Sequence, residues 1–349
     1  MKFVDYIIVG QGLAGTLLAH DLLEKNQSVL IIDKPLKAIA SKIAAGLFNP
    51  VGIKRCVRSW KVDDFLPIAI ERYKSLEEKL ETTFLNIKPI YRLFANEENR
   101  KQWQIKCSND QMDDFISDFK PPNSYSYLID DFGGASISPS GFLEVVKFLD
   151  ASRRYFMSAD CLVEEEFNFD LLETHSGVYN GFQAKKIIFC EGFRAIHNPY
   201  FKYLPFTPTK GELLTIRIPS IEKIDKIVSK GVFIIPLGNN LFRVGATYNH
   251  NEFDDVVTSE GIAYLTEKIE EVIKCEYEIF SLDAGVRPTV RDRKPLIGIH
   301  PKYEKLAIFN GFGSRGVLQG PYLSAHFCTF LTTSQKTTQS FDIQRIKKY

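Results

Sequence analysis

Phe3-Val4-Asp5-Tyr6-Ile7-Ile8-Val9-Gly10-Gln11-Gly12-Leu13-Ala14-Gly15 is the stretch whose reading decides the fold. Its first seven residues form a nearly continuous apolar run, as a buried strand does. They lead directly into Gly10-x-Gly12-x-x-Gly15. Residues 16–24 turn helical, with Leu17, Leu18, Leu22 and Leu23 spaced to face a sheet. Residues 28–32 are a second buried strand ending on Asp33, eighteen residues after Gly15. Gly10 permits the tight turn, Gly12 admits a pyrophosphate close to the backbone, and Gly15 lets helix and strand pack closely. The helix start, with Leu13 and Ala14, turns unpaired N–H groups and a positive dipole end toward phosphates. Asp33, followed by Lys34, is placed to accept both hydroxyls of an adenosine ribose, and its charge would repel a 2′-phosphate. The glycines alone are weak evidence; strand, turn, helix and strand-terminal acid together predict a dinucleotide-binding unit.

The rest of the composition narrows the field. At 349 residues, 44% hydrophobic and 25% charged, the chain has room for two domains and a buried cofactor. A formal net charge of +1 gives no general drive toward nucleic acid or anionic membrane. Cys56, Cys107, Cys161, Cys190, Cys275 and Cys328 show no metal-type spacing, so inert thiols and no metal site are expected. The first strand starts at residue 3 and no apolar run approaches the ~18 residues of a membrane span. A cytoplasmic protein without a membrane span is the expectation.

Residues 38–50 are rich in small side chains, a composition that lets backbone lie against a ligand or forms a plain helix and turn. Residues 57–80 read as one helix or two, and 87–95 as strand. A helix over 142–153 precedes short strands at 161–163, 170–172, 179–182 and 187–190, the last ending on Glu191-Gly192. Residues 211–248 look antiparallel, and 262–273 helical. No linker or repeat appears, so interleaved domains are predicted.

Near the end come Ala284-Gly285-Val286-Arg287-Pro288, then a strand at 306–309, Asn310-Gly311-Phe312-Gly313-Ser314-Arg315-Gly316-Val317 and an apolar helix. Gly311-x-Gly313-x-x-Gly316 repeats the opening motif, yet no second acid-terminated strand follows, which argues against a second dinucleotide. Both helix starts are read as serving one large ligand. The first would hold its phosphates; the second would aim backbone donors at a ring that becomes negative during reaction. A reduced flavin has that need.

Taken in order along nearly the whole chain, these features resemble the D-amino-acid oxidase / glycine oxidase family of FAD-dependent oxidoreductases. They are also similar to the oxidase domain of the bifunctional tRNA-modifying enzyme that removes a carboxymethyl group from a wobble uridine. The matching elements are the opening motif with Asp33, Ala44-Ala45-Gly46, Cys190-Glu191-Gly192, Gly245-Ala246-Thr247, Gly285-Val286-Arg287-Pro288 with Asp292, and residues 311–316. The resemblance implies an α/β (α+β), two-domain fold. A Rossmann-like FAD-binding domain from 1–82, 138–200 and 284–349 would be interleaved with an antiparallel-sheet substrate domain from 83–137 and 201–283. It implies FAD bound non-covalently, because no cysteine matches an attachment position. Ser41 and the Ala45-Gly46-Leu47 backbone would lie along the pyrophosphate and ring, and Val163 would hold adenine through its backbone. Cys190, Glu191, Gly192 and Gly285 belong to the matched cofactor motifs, and Gly313, Ser314, Arg315, Gly316 and Val317 would face the flavin pyrimidine edge. Two departures stand out: Asp33 replaces the family's usual Glu, and Glu191 has no counterpart in its common Ala-Ala-Gly.

The implied activity is oxidation of the C–N bond of a small amino acid or secondary amine. Hydride leaves carbon for flavin N5 while nitrogen is neutral, which calls for orientation more than for a protein base. A substrate carboxylate calls for a planar, permanently charged partner, and arginine pairs with it bidentately. Arg287 matches the family's carboxylate-binding arginine, with a structural ion pair to Asp292 as the alternative. Arg315 is the second candidate, or else a brace for its loop. Tyr248 and Tyr91 are candidate pocket residues, and Phe48 and Phe312 either border the flavin or pack in the core. Lys54, Arg55, Arg58 and Lys61 around Trp60 read as an RNA-facing patch or a solvated helix face. Besides the small-amine oxidase, two readings compete. One is the same chemistry on a carboxymethylaminomethyl group of tRNA, favoured by Gly313-Ser314-Arg315-Gly316. The other is a non-catalytic flavoprotein, which the two arginines argue against. The electron acceptor, whether oxygen, quinone or protein, is not written in the sequence.

Overall fold

Lys2–Val9 is the hub of the first sheet: it runs parallel to Val29–Ile32 on one side and to Phe182–Phe189 on the other. The computed structural model describes residues 1–35, 39–109, 112–221, 224–333 and 340–346, so Ala38 of the small-residue run lies outside them. Leu162–Val163 extends the parallel sheet past Val29–Ile32, and Leu306–Asn310 extends it past Phe182–Phe189. Leu296–Ile299 closes the latter edge antiparallel. These strands are unbroken apolar runs because both faces are covered. On one face the opening helix Leu13–Glu24 packs against the closing helix Gly316–Thr333, which in turn packs on Val62–Leu80. A buried polar clasp joins the three helices: Arg72 pairs with Asp21 at 2.6 Å and Glu24 at 2.8 Å, and the Ser324 hydroxyl donates to Asp21. The other face carries an aromatic layer in which Phe167 stacks on Tyr179 at 4.2 Å and meets Phe189 edge-on.

The second sheet has eight strands, running from Glu278–Arg287 through Thr209–Arg217, Leu241–Gly245, Val232–Gly238 and Ile227–Lys230 to Ile90–Leu93, Gly134–Ile137 and Ile116–Lys120. It is antiparallel except where Ile227–Lys230 meets Ile90–Leu93 in parallel. The helix Ser259–Glu270 packs on it, capped by the Thr258 hydroxyl, which accepts from Gly261 N–H at 3.0 Å. Buried Glu212 accepts from Thr258 N–H at 2.7 Å and fixes that cap. The strand Glu278–Arg287 ends on the arginine and carries it from the second sheet toward the first.

Two expectations are corrected. Residues 57–80 are not continuous helix: Val57–Arg58 pairs with Val51–Gly52, and the helix begins at Val62 after Lys61, whose φ is 50°. The basic cluster therefore sits on a hairpin and helix cap. Arg58 pairs with Asp63 and lies 4.7 Å over Phe115, and Lys61 reaches Asp64 at 3.7 Å, while Lys54 and Arg55 are exposed. Tyr91 is a core residue, 1% exposed and packed edge-on against Tyr125 at 4.9 Å, and does not line the cavity described below. Among the described residues no helix is long and apolar enough to cross a membrane, and no His/Cys/Asp/Glu group has metal-binding geometry.

Candidate active site

A cavity of about 880 Å³ runs between the two sheets, from the glycine turn and Asp33 at one end to Arg287, Arg315 and Tyr248 at the other. Every residue singled out above as a cofactor or catalytic candidate lines it, except Gly15 and Val163. Those two sit just behind its wall. A Cβ on Gly15 would stand 2.0 Å from the Gly10 carbonyl oxygen, so Gly15 serves the close contact of helix and strand. Val163 accepts from Asp33 N–H at 3.1 Å, and Glu165 and Glu166 take over as the lining beyond it.

The turn itself is tightly built. Gly10 has φ of 101°, and a Cβ there would lie 2.8 Å from the Cys190 carbonyl oxygen, which places residues 190–192 directly against the turn. Ser41 accepts from Leu13 N–H at 3.1 Å, bringing the small-residue loop onto the helix start. Asp33 Oδ1 accepts from Gln11 N–H at 2.8 Å, and Oδ2 accepts from Arg153 at 2.8 Å. Arg153 also pairs with Glu164 at 2.7 Å and donates to the Gln11 side chain at 2.7 Å. Sequence reading missed Arg153, and nothing local could have tied it to the cavity, since Asp33 and Gln11 lie 120 and 142 residues away.

Glu191 lines the cavity beside the glycine turn, its carboxylate accepting from the Asn198 amide at 2.7 Å. Burial pushes its pKa up from 4.5 to about 7, against the opposing pull of Asn198 and Arg194. A carboxyl whose folded pKa is raised binds its proton more tightly folded than unfolded. Stability is then greatest below the ordinary carboxylate range and falls as pH rises from about 4.5 toward 7. Glu191→Gln keeps the hydrogen bond without the charge. It should flatten that slope and raise stability at pH 8 by up to about 3 kcal/mol, read from urea midpoints at pH 5 and pH 8. An unchanged difference between the two pH values would refute the assignment.

At the far end, the Arg287 guanidinium lies 4.6 Å over the Tyr248 ring and donates to the Thr247 and Lys210 carbonyls at 3.3 and 3.4 Å. No carboxylate among the described residues pairs with it: Asp292, the alternative partner, is held by Arg345 at 2.9 Å. Burial draws the Arg287 pKa below its usual value, the sign of a cation withdrawn from water without a counter-ion. Gly211 makes its position available, for a Cβ there would fall 2.0 Å from Arg287 Nη2. An isolated glycine inside a strand pattern signals such close approach, and Gly211 could have been read that way. Phe48 and Phe312 both line the cavity.

A glycine-cradled helix start, a strand-terminal acid and a second glycine-flanked helix start on one elongated cavity define a flavin-dependent oxidoreductase fold. The chain belongs to the FAD dependent oxidoreductase (DAO) family, whose pattern matches residues 5–328. It is 23% identical over 353 residues to the glycine oxidase of Bacillus subtilis (strain 168), covering 93% of this chain and 92% of that one. Among solved structures it is similar to glycine oxidase from Geobacillus kaustophilus, with TM-score 0.81 and 22% identity over 100% of this chain and 99% of the other. It also resembles iminodiacetate oxidase from Chelativorans sp. BNC1, with TM-score 0.79 and 18% identity over 95% and 96%. At these identities the structural likeness shows the fold. The residues present fit the cofactor: the close backbone approach at residues 10–15 and 190–192 forms the cradle, and the cavity runs on from it to the second helix start.

Proposed function

We propose that this FAD-dependent oxidoreductase oxidises the C–N bond of a small amino acid or secondary amine in the cytoplasm. The observation that carries the reading is Arg287, a cation without a carboxylate partner among the described residues, held 4.6 Å over the Tyr248 ring inside the cavity. Glycine oxidases among its relatives support the choice of substrate class. Bound FAD supplies a two-electron acceptor. Residues 10–15 would hold its pyrophosphate, Asp33 its ribose, and the start of Gly316–Thr333 its pyrimidine end, all without a covalent bond. Cys190 is the one cavity-lining cysteine among the described residues, and burial pushes its thiol pKa up, which keeps it protonated and unreactive. Arg287 takes the substrate carboxylate bidentately, Tyr248 supports it from the open side, and Leu213, Phe233 and Phe48 shield the reacting carbon from water.

Anaerobic bleaching of the oxidised-flavin band tests this. Glycine, sarcosine, proline, D-amino acids and tRNA bearing carboxymethylaminomethyl-uridine form the panel. Bleaching by one small amine is the expected result. Bleaching by tRNA alone would overturn the small-molecule reading, and a loaded flavin reduced by nothing in the panel would overturn it as well.

A second check comes from Gly211→Ala. The new methyl group displaces the guanidinium without touching the cofactor cradle. KM should rise at least about tenfold, with FAD content retained. An unchanged KM would place the substrate carboxylate elsewhere.

A further inference from the structure

Glu191 stands where an ionised carboxylate is out of place. Its Cα lies 3.6 Å from the point that a Cβ on Gly10 would occupy, so it abuts the turn that offers N–H groups to phosphates. A pyrophosphate arriving there brings its own negative charge. Little stands by to neutralise a further one. Among the described residues, the lysine and arginine side chains that line this end of the cavity are Lys34 and Arg194. Lys34 is taken by Glu166 at 2.8 Å, and Arg194 is exposed and forms no ion pair with Glu191. Asp33, the other acid beside the turn, is built differently, with Arg153 on it at 2.8 Å. Two adjacent anions with no cation between them repel strongly away from water, unless one is neutral.

The hydrogen bonds around Glu191 decide which of its oxygens carries a proton. Asn198 is buried, and its Oδ1 accepts from Tyr200 N–H at 2.9 Å and from Phe201 N–H at 3.2 Å. That fixes the amide: Nδ2 faces Glu191 and donates to Oε2 at 2.7 Å. The Glu191 side chain makes no other hydrogen bond or ion pair among the described residues. Oε2 is therefore an acceptor already in use. The proton of the neutral acid belongs on Oε1, which is reachable from the cavity. Burial favours that neutral form. A carboxyl held this way donates a hydrogen bond to a facing oxygen instead of repelling it.

We propose that Glu191 binds FAD as a neutral acid: Oε1–H donates to an oxygen of the cofactor's pyrophosphate, and loss of that proton weakens the hold on FAD. The inference rests on placing the pyrophosphate at residues 10–15 and is independent of which amine is oxidised. The charged and titratable groups around Glu191 are Arg194 and His197 on Gly192–His197, Cys190 before them, Asp33 with Arg153, and Glu165 and Glu166 with Lys34 along the same wall. Burial holds the Cys190 thiol protonated. Histidine is the side chain that ordinarily changes charge near neutrality, so His197 supplies the control.

The test reads FAD affinity, not turnover. FAD-loaded protein is brought to equilibrium by ultrafiltration across a pH series, with the fold followed by circular dichroism. The pyrophosphate of FAD keeps its charge over that series. Wild-type Kd should rise at least about tenfold from pH 6 to pH 8.5, the direction set by losing one proton. Glu191→Gln, whose amide donates as the acid does, should bind at pH 6 within about threefold of wild type and show no such rise. His197→Gln should keep the rise. A flat wild-type profile overturns the inference. With it, a colourless Gly12→Val protein shows that the phosphate placement still stands, and a yellow one that the placement itself has failed. A wild-type Kd that falls as pH rises, with weaker binding by Glu191→Gln throughout, makes Glu191 an ionised acceptor and overturns the inference too. So does a rise that persists in Glu191→Gln and vanishes in His197→Gln.

Discussion

Arg287→Met should lower kcat/KM for the amine substrate by at least about a hundredfold while leaving FAD stoichiometric. The loss has two parts. A charge-assisted bidentate pair disappears, and the substrate carboxylate is left in a partly desolvated cavity with no planar partner. Removing one side of such a buried pair typically costs about 2–5 kcal/mol, and each ~1.4 kcal/mol is a factor of ten. The guanidinium is not needed for the fold: its hydrogen bonds to the Lys210 and Thr247 carbonyls are long, at 3.4 and 3.3 Å. Thermal stability should therefore change little, and single-turnover reduction of the flavin should slow. A variant that reduces its flavin at the wild-type rate would remove Arg287 from substrate binding.

The second large effect separates cradle from scaffold within one motif. Gly15→Val should give protein that fails to fold or accumulates as aggregate, because its side chain would have to occupy the place of the Gly10 carbonyl 2.0 Å away. That contact is backbone on backbone, so nothing flexible can yield, and a loss of at least about 3 kcal/mol is expected. Gly12→Val meets only the Ser41 hydroxyl, at 3.3 Å. It should fold and yet be colourless, since the added side chain stands where a pyrophosphate approaches. Circular dichroism and FAD content, measured on both variants, distinguish the two. A yellow, fully loaded Gly12→Val protein would remove the phosphate-loop assignment.

Much of this architecture is written locally. Gly10, Gly12, Gly15 and Asp33 lie within one βαβ unit, so their spacing alone forecasts a turn, a helix start and a ribose-facing acid. Arg315 and Arg287 were likewise legible, each beside glycines and at a strand or helix end. What stayed hidden depends on chain segments meeting from far apart. Arg153 reaches Asp33 across 120 residues, and no periodicity encodes that. Tyr91 misled because Ile90–Leu93 is buried on both faces, which erases the in–out alternation that would have marked it as core. The hairpin at 51–58 misled for another reason. Its two paired segments are two residues each, too short for any period to register, so the helix that follows absorbed them.

The strand order has a further meaning for a growing polypeptide. Lys2–Val9 is made more than 170 residues ahead of its partner Phe182–Phe189, and Leu306–Asn310 follows later still. At roughly 5–20 residues per second, about 15 s to a minute pass between the first strand and the last of these. Until Phe182–Phe189 is made, Ile7 and Ile8, wholly buried in the finished molecule, have Leu30 and Ile31 beside them but lack Ile187 and Ile188 on the other side, which leaves apolar strand edge open to wrong pairing. The cavity is incomplete until residues 310–318 have been made. A chain ending before Asn310 lacks the second helix start that lines the cavity, and is expected to be colourless rather than partly active.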